Sequence, residues 1–244
     1  MEYEFKSKNL KLIDFPFTLG TVVSAMMDAA RFGHIGSRFH FYVVGGMVRD
    51  TYLGVANSKS DMDIAFSGDL MLLLGCLDTS EDFKIIRVNK NLNTARVSYY
   101  DEASRSQIEF DLAQLRAEDY SAGRPYPEVS FNNIPIQWDL ARRDFTVNAL
   151  AFDVVAEMII DPFNGYDDIV DQKIRVLHEE SFKDDPTRLV RAITQAKRFG
   201  FDIDDDTKYL ARQALVARAF DKLTPAQFSD EMRATLKENR DCFN

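Results

Sequence analysis

Asp61 and Asp63 stand two residues apart in a run, Asp61 to Phe66, that alternates charged and apolar side chains. Residues two apart on a strand project from one face, so both carboxylates point the same way. Ile108-Glu109-Phe110-Asp111-Leu112 repeats the alternation, with Glu109 and Asp111 on one face and three apolar residues on the other. Two neighbouring strands of this kind gather three oxygen ligands, the donor set with which a pair of hard divalent cations grips a nucleoside triphosphate. Alone, Asp-x-Asp carries little, because 39 acidic residues yield several such pairs by chance. Upstream, Val43-Val44-Gly45-Gly46-Met47-Val48-Arg49-Asp50 reads as a strand, a glycine turn and a helix start. Glycines there let backbone N–H groups approach a phosphate, the helix N-terminus favours the anion, and Arg49 adds a charged donor. The competing reading is a tight turn with a surface Arg–Asp pair.

The surrounding composition narrows the chemistry. The chain has 244 residues, 45% hydrophobic and 28% charged, which is a globular composition with no need of a disulfide or zinc staple. Its net charge of −9 argues against a protein whose whole surface coats nucleic acid, yet leaves room for a local basic groove. No stretch of about 20 apolar residues could span a membrane, and Met1 to Leu10 is too polar for a secretory signal. Cys76 and Cys242 are far apart, so a reducing, cytoplasmic compartment is expected. His34, His40 and His178 are scattered and read as surface or turn residues. Enzymatic chemistry in this chain therefore rests on carboxylates.

The elements that must position these groups follow from periodicity. Phe17 through Val22, Ala25, Met26 and Ala29 to Phe32 has helical spacing. Strands are expected at 39–44, 61–66, 83–88, 95–100 and 108–112, with helices from Met47 to Leu53 and from Leu70 to Leu77. Residues 116–135, interrupted by Gly123, Pro125, Pro127 and Pro135, read as a long loop. From Ser181 the pattern is helical, with Leu189, Ala192, Ile193 and Ala196 on one face, then Tyr209, Leu210, Leu215 and Val216, then Phe228, Met232 and Leu236. The expectation is an α+β protein: a head at 1–150 with a mixed sheet flanked by helices, then an all-helical unit at 151–244.

Gly45-Gly46-x-Val48-Arg49-Asp50, Leu53-Gly54 and Asp61-x-Asp63 together resemble the signature of class II template-independent nucleotidyltransferases, the tRNA CCA-adding enzymes and related bacterial poly(A) polymerases. Three later blocks keep the family's order: Phe110-Asp111-Leu112-Ala113 with Leu115-Arg116, then Asp139 to Leu150, then Asp184 to Ala192 ending at Phe199-Gly200-Phe201. The resemblance covers about residues 40–201 and leaves residues 1–35 without a role. It implies a polymerase-beta-like head and a helical neck, and an enzyme that adds C and/or A to tRNA 3′ ends from CTP and ATP. It implies that Asp61, Asp63 and Asp111 bind two Mg²⁺, with Glu109 as the runner-up third ligand. Gly45, Gly46 and Arg49 would line the phosphates, and Asp139, Arg142, Asp185, Arg188 and Arg191 would belong to the nucleotide pocket. A poly(A) polymerase or other RNA 3′-end tailer, and a catalytically silent nucleotide- or RNA-binding module, are the alternatives.

Base choice has a physical basis. Cytosine and adenine each present an amino donor beside a ring-nitrogen acceptor, whereas uracil and guanine present the reverse. A carboxylate beside a guanidinium complements the first pair and clashes with the second. Asp185 and Arg188, three apart, are expected to share a helix face and form such a template; the plain alternative is a surface ion pair. Asp184 replaces the family's usual Glu, and Ser181 replaces the Arg common before Phe182. Family members usually continue into body and tail domains, so this chain reads as a short member and a second copy is a candidate partner for holding RNA. Between Arg188 and Lys222 eight positive residues face five negative ones, which allows a modest basic face on the neck or an ordinary solvated one.

Overall fold

The computed structural model describes residues 3, 6–32, 38–121 and 127–238. His34, Gly123, Pro125 and Cys242, and the side chain of Leu236, lie outside the described residues. The head comprises α1 (Phe17–Phe32), β1 (His40–Val44), α2 (Gly46–Tyr52), β2 (Asp63–Ser67), α3 (Leu70–Leu77), β3 (Phe83–Asn89), β4 (Thr94–Asp101), β5 (Ser106–Gln114), β6 (Ala117–Asp119), β7 (Glu128–Ser130), α4 (Ile136–Ala141), β8 (Ala151–Asp153), β9 (Met158–Ile160) and α5 (Gly165–Val170).

Seven strands form one sheet in the order β3-β4-β5-β2-β1-β8-β9. Only β2 and β5 run parallel, so the sheet is mixed, as its alternating strands implied. One face is the core: Phe41, Val43, Ile64, Phe66, Val97, Phe110 and Leu112 pack under α1, whose buried Leu19, Val22, Val23, Met26 and Ala30 recur at helical spacing. The other face is covered only in part. Val44, Ala65 and Ala151 meet Ile136 and Leu140 of α4 there, while the end carrying the carboxylates stays open.

The sheet does not end at residue 150. Strand β8 pairs with β1 through Val43↔Phe152, and β9 pairs with β8, so the sheet runs on to Ile160. Three-residue strands are too short for periodicity to reveal. Residues 116–135 are likewise not all loop, because β6 and β7 pair antiparallel through Glu118↔Val129.

The neck holds β10 (Lys173–Ile174), α6 (Ser181–Asp184), α7 (Thr187–Phe199), β11 (Asp202–Ile203), α8 (Asp205–Val216) and α9 (Pro225–Glu238). It is helical apart from the two-residue parallel pair of β10 and β11. Its apolar faces are narrower than expected. Leu189 and Ala192 are buried but Ile193 is exposed, and in α8 Tyr209, Leu215 and Val216 face solvent. Helix α8 seats through the small residues Thr207 and Ala214 instead, and the Thr207 hydroxyl accepts the Val176 N–H at 3.2 Å. Small side chains permit close approach without carrying a periodic apolar signal.

Candidate active site

Register places two of the expected carboxylates side by side. Asp63 opposes Asp111 on the parallel strands β2 and β5, and the Asp111 N–H donates to the Met62 carbonyl at 2.9 Å. Met62, Ile64, Phe110 and Leu112 turn into the core, so Asp61, Asp63, Glu109 and Asp111 share the open face. Glu109 lies two residues out of register with Asp63 and is drawn to Arg96 of β4, whose Nε is 3.4 Å from it and 3.8 Å from Asp111. Crowding by the surrounding walls pushes the Asp63 carboxyl above the usual range; Arg143 opposes that, and Asp111 and Asp61 add to it. A cation would relieve this repulsion. Among the described residues, no three His, Cys, Asp or Glu side chains already stand close enough to enclose a metal ion. The carboxylates form a charged face of hard donors, suited to a divalent ion, rather than a closed cage.

The glycine turn is built differently from its expected role. Gly45 has φ +66°, and a Cβ there would lie 2.9 Å from Nη1 of Arg143. Its N–H is taken by the Leu150 carbonyl at 3.1 Å, so it anchors the turn to the head and offers no donor to a phosphate. Gly46 opens the helix and leaves the floor bare. Arg49, only 6% exposed, is committed to Asp50 at 2.8 and 2.7 Å and to Asn148, and lies 4.2 Å from the centre of the Phe199 ring. It lines the cleft while pinning α2 to the neck.

Facing the carboxylates is a wall of arginines organised by Asp139, which is 1% exposed. Asp139 accepts Arg142 Nε at 3.0 Å and Nη2 at 2.8 Å, Arg143 Nη2 at 3.1 Å and the Arg116 N–H at 3.2 Å. Burial alone would raise its carboxyl, but Arg143 and Arg142 hold it below the usual range. Asp139 does not line the cleft, so it positions the arginines that do. Glu118 braces the same wall, accepting from Arg116 Nε at 2.9 Å, Arg142 Nη1 at 3.3 Å and the Tyr120 hydroxyl at 2.8 Å.

The neck supplies the last side. Asp185 and Arg188 do not share a helix face: Asp185 is extended backbone between α6 and α7, because Pro186 ends one helix and starts the next. Its carboxylate accepts the Thr187 N–H at 3.0 Å and Thr187 Oγ1 at 2.5 Å. Its nearer guanidinium is Arg191 at 3.1 Å, with Arg188 Nε at 3.9 Å. Arg188 is 2% exposed and donates to Ser181 Oγ and to the Arg142 carbonyl, both at 2.7 Å, which ties neck to head. Its Nε has no hydrogen-bond partner. Arg191 spans Asp185, Asp144 at 3.6 Å and Glu231 of α9 at 3.8 Å.

These walls enclose an open cleft of about 1350 Å³. Asp61, Asp63, Gly45, Gly46, Arg49, Arg142, Asp185, Arg188 and Arg191 all line it, and Asp111 and Asp139 do not. Nine cationic and nine acidic residues line the cleft, in a chain with 30 and 39, so cations are enriched there. Arg143, Asn148, Glu118 and Tyr120 also line it; the sequence signal for Arg143 is its adjacency to Arg142 in one block. His40 is elsewhere, 2.7 Å from Asp153 on the β1–β8 pair.

Residues 41–175 match a family described as the poly A polymerase head domain. The chain is 34% identical over 211 residues to an A-adding tRNA nucleotidyltransferase of Geobacter sulfurreducens, covering 84% of this chain and 23% of that one. Its fold superposes on a CCA-adding enzyme without ligand with a TM-score of 0.75 at 31% identity, over 90% of this chain and 50% of the other. A complex of a CCA-adding enzyme with CTP matches with a TM-score of 0.68 at 31% identity, over 90% and 47%. The chain spans about a quarter to about half the length of the curated relatives it matches.

Proposed function

Since the chain belongs to the poly A polymerase head-domain family, we propose that it transfers nucleotides from CTP and ATP to the 3′ end of tRNA. The observation that carries this reading is the Asp63–Asp111 pair on adjoining parallel strands, with Asp61 on the same face, opposite a wall of arginines. Family members use divalent metals, and here Asp61, Asp63 and Asp111 would hold two Mg²⁺, which when bound acidify the RNA 3′-hydroxyl and take up charge on the departing pyrophosphate.

The chain's own residues do the rest. Arg143, held by Asp139 and lying over Gly45, meets the triphosphate, with Arg142 beside it. Donors fixed in advance by a buried carboxylate need little reorganisation when charge develops on the substrate. Arg188 and the Asp185 carboxylate, whose nearest atoms are 3.9 Å apart, both line the cleft and set a guanidinium beside a carboxylate for the pairing edge of C or A. Uracil and guanine would set donor against donor at that edge.

The test offers CTP and ATP, singly and together, with Mg²⁺ and a tRNA lacking its 3′ end. Two C additions and one A, or a single A on a tRNA ending in CC, support the reading. A long A tail would place the chain with poly(A) polymerases, and nucleotide affinity without incorporation would make it a binding module.

A further inference from the structure

The sheet carries a second charged feature outside the cleft. From Phe83 to Tyr100 the chain has four cations, Lys84, Arg87, Lys90 and Arg96, and no acid, within a protein of net charge −9. These residues are the β3–β4 hairpin, the edge of the sheet nearest the carboxylates. Lys84, Arg87 and Lys90 are exposed and form no ion pair among the described residues. Register aligns one file of side chains across four strands: Arg87 opposes Arg96, Arg96 opposes Asp111, and Asp111 opposes Asp63. Like charges directly opposed across strands are unfavourable. The opposition follows a register shift between Ile85 and Arg87, an irregularity that re-aims a side chain.

Within this file Asp63 lines the cleft, whereas Asp111, Arg96 and Arg87, successively farther from Gly45 across the sheet, do not. In an in-line displacement the attacking hydroxyl stands opposite the leaving pyrophosphate. With the triphosphate on the Gly45–Arg143 side, the acceptor must approach over β5, β4 and β3. We propose that the β3–β4 hairpin, through Lys84, Arg87 and Lys90, is the track that holds the phosphate backbone of the acceptor RNA. The proposal rests on the nucleotidyltransferase reading above. Leu92 at the hairpin tip lines the cleft, and Tyr100, two residues along β4 from the Ser98 that opposes Lys84, stands exposed, an open ring on which a base can stack. Charge on an edge strand, Lys above all, also discourages edge-to-edge pairing, but that purpose does not explain the Arg87–Arg96 opposition.

A fluorescein-labelled tRNA lacking its 3′ end, titrated at several KCl concentrations, tests this. In Lys84→Gln/Arg87→Gln/Lys90→Gln the Kd should rise about tenfold near 0.1 M salt, and the log–log salt slope should fall by about two to three, roughly one per phosphate contact. Affinity for CTP and ATP should be unchanged, which also reports an intact fold. A neck variant, Lys208→Gln/Arg212→Gln/Arg218→Gln, should keep the wild-type slope. If the triple variant also loses nucleotide binding, Arg87→Gln alone should lower the slope by about one. An unchanged slope in the hairpin variants, an equal fall in the neck variant, or no tRNA binding by the wild-type chain overturns the proposal. Binding is read without turnover, so a chain that binds tRNA through the hairpin yet incorporates nothing would count against the enzymatic reading alone.

Discussion

The open end of the sheet and the wall opposite it are both highly charged, yet they are built on opposite plans. On the sheet, Asp61 and Asp63 form no hydrogen bond or ion pair among the described residues, and Asp111 has only the long approach of Arg96 at 3.8 Å. On the wall, Arg142 and Arg143 are gripped by Asp139, and Arg188 by Ser181 and the Arg142 carbonyl. Carboxylates left to repel one another store binding energy for a cation, whereas guanidiniums fixed in advance await a ligand without reorganising. The difference teaches which side of the cleft contributes to stability and which trades stability for ligand binding.

The largest test attacks that division at the sheet. Asp63→Ala should lower incorporation at least about a thousandfold while leaving unfolding intact. Because the Asp63 carboxyl is raised in the folded protein, its charge works against folding at neutral pH, so Asp63→Asn should keep or raise the melting temperature. A variant that melts earlier would make Asp63 a structural residue and end the contrast.

The wall should behave in the opposite way. Asp139→Asn leaves Arg142 and Arg143 without their shared carboxylate and should cost about 3 kcal/mol in denaturant unfolding at pH 7. Asp139 is held below the usual range when folded, so its contribution is complete above the unfolded value and is lost as pH falls through the depressed one. The gap between wild type and variant should therefore begin to close only below about pH 4 and narrow steadily on further acidification. A gap that stays constant on acidification would mean that packing, and not charge, makes the wall.

Smaller effects sharpen the comparison within the neck. Arg188→Ala should lower stability by about 2 kcal/mol, through the lost ties to Ser181 and Arg142, and raise UTP and GTP use relative to CTP and ATP. Lost stability with unchanged base preference would leave Arg188 a strut between domains. Ser181→Ala removes one hydroxyl acceptor and should cost about 1 kcal/mol. Competition between CTP and UTP would then show whether the serine also steadies the base-reading arginine.

Legibility in the sequence followed the length of the pattern. Helix α3 spans Leu70–Leu77, the range its apolar spacing implies, and β2 and β5 lie within two residues of their expected places. Three-residue β6 to β9 carry no readable period, so the continuation of the sheet past residue 150 is not legible in the sequence. The three-residue spacing of Asp185 and Arg188 resembles a helix face, whereas Pro186 breaks the turn between them and leaves Asp185 extended. The grip of Asp139 on Arg142 and Arg143 is local, three and four residues along the chain, but its hold on the Arg116 N–H exists only once α4 packs beside Arg116.

Alternation of apolar and acidic residues was enough to determine that the carboxylates of Asp61 and Asp63 share a face, and likewise those of Glu109 and Asp111, because side-chain direction on a strand is a local property. Which strands adjoin is not local. Tertiary structure alone decided that Asp111, not Glu109, sits opposite Asp63, that Arg96 and Arg87 extend the same file, and that arginines 45 residues apart, Arg143 and Arg188, face one cleft. Strand order and domain docking are set by the burial of distant apolar surfaces, and no short run of residues encodes them.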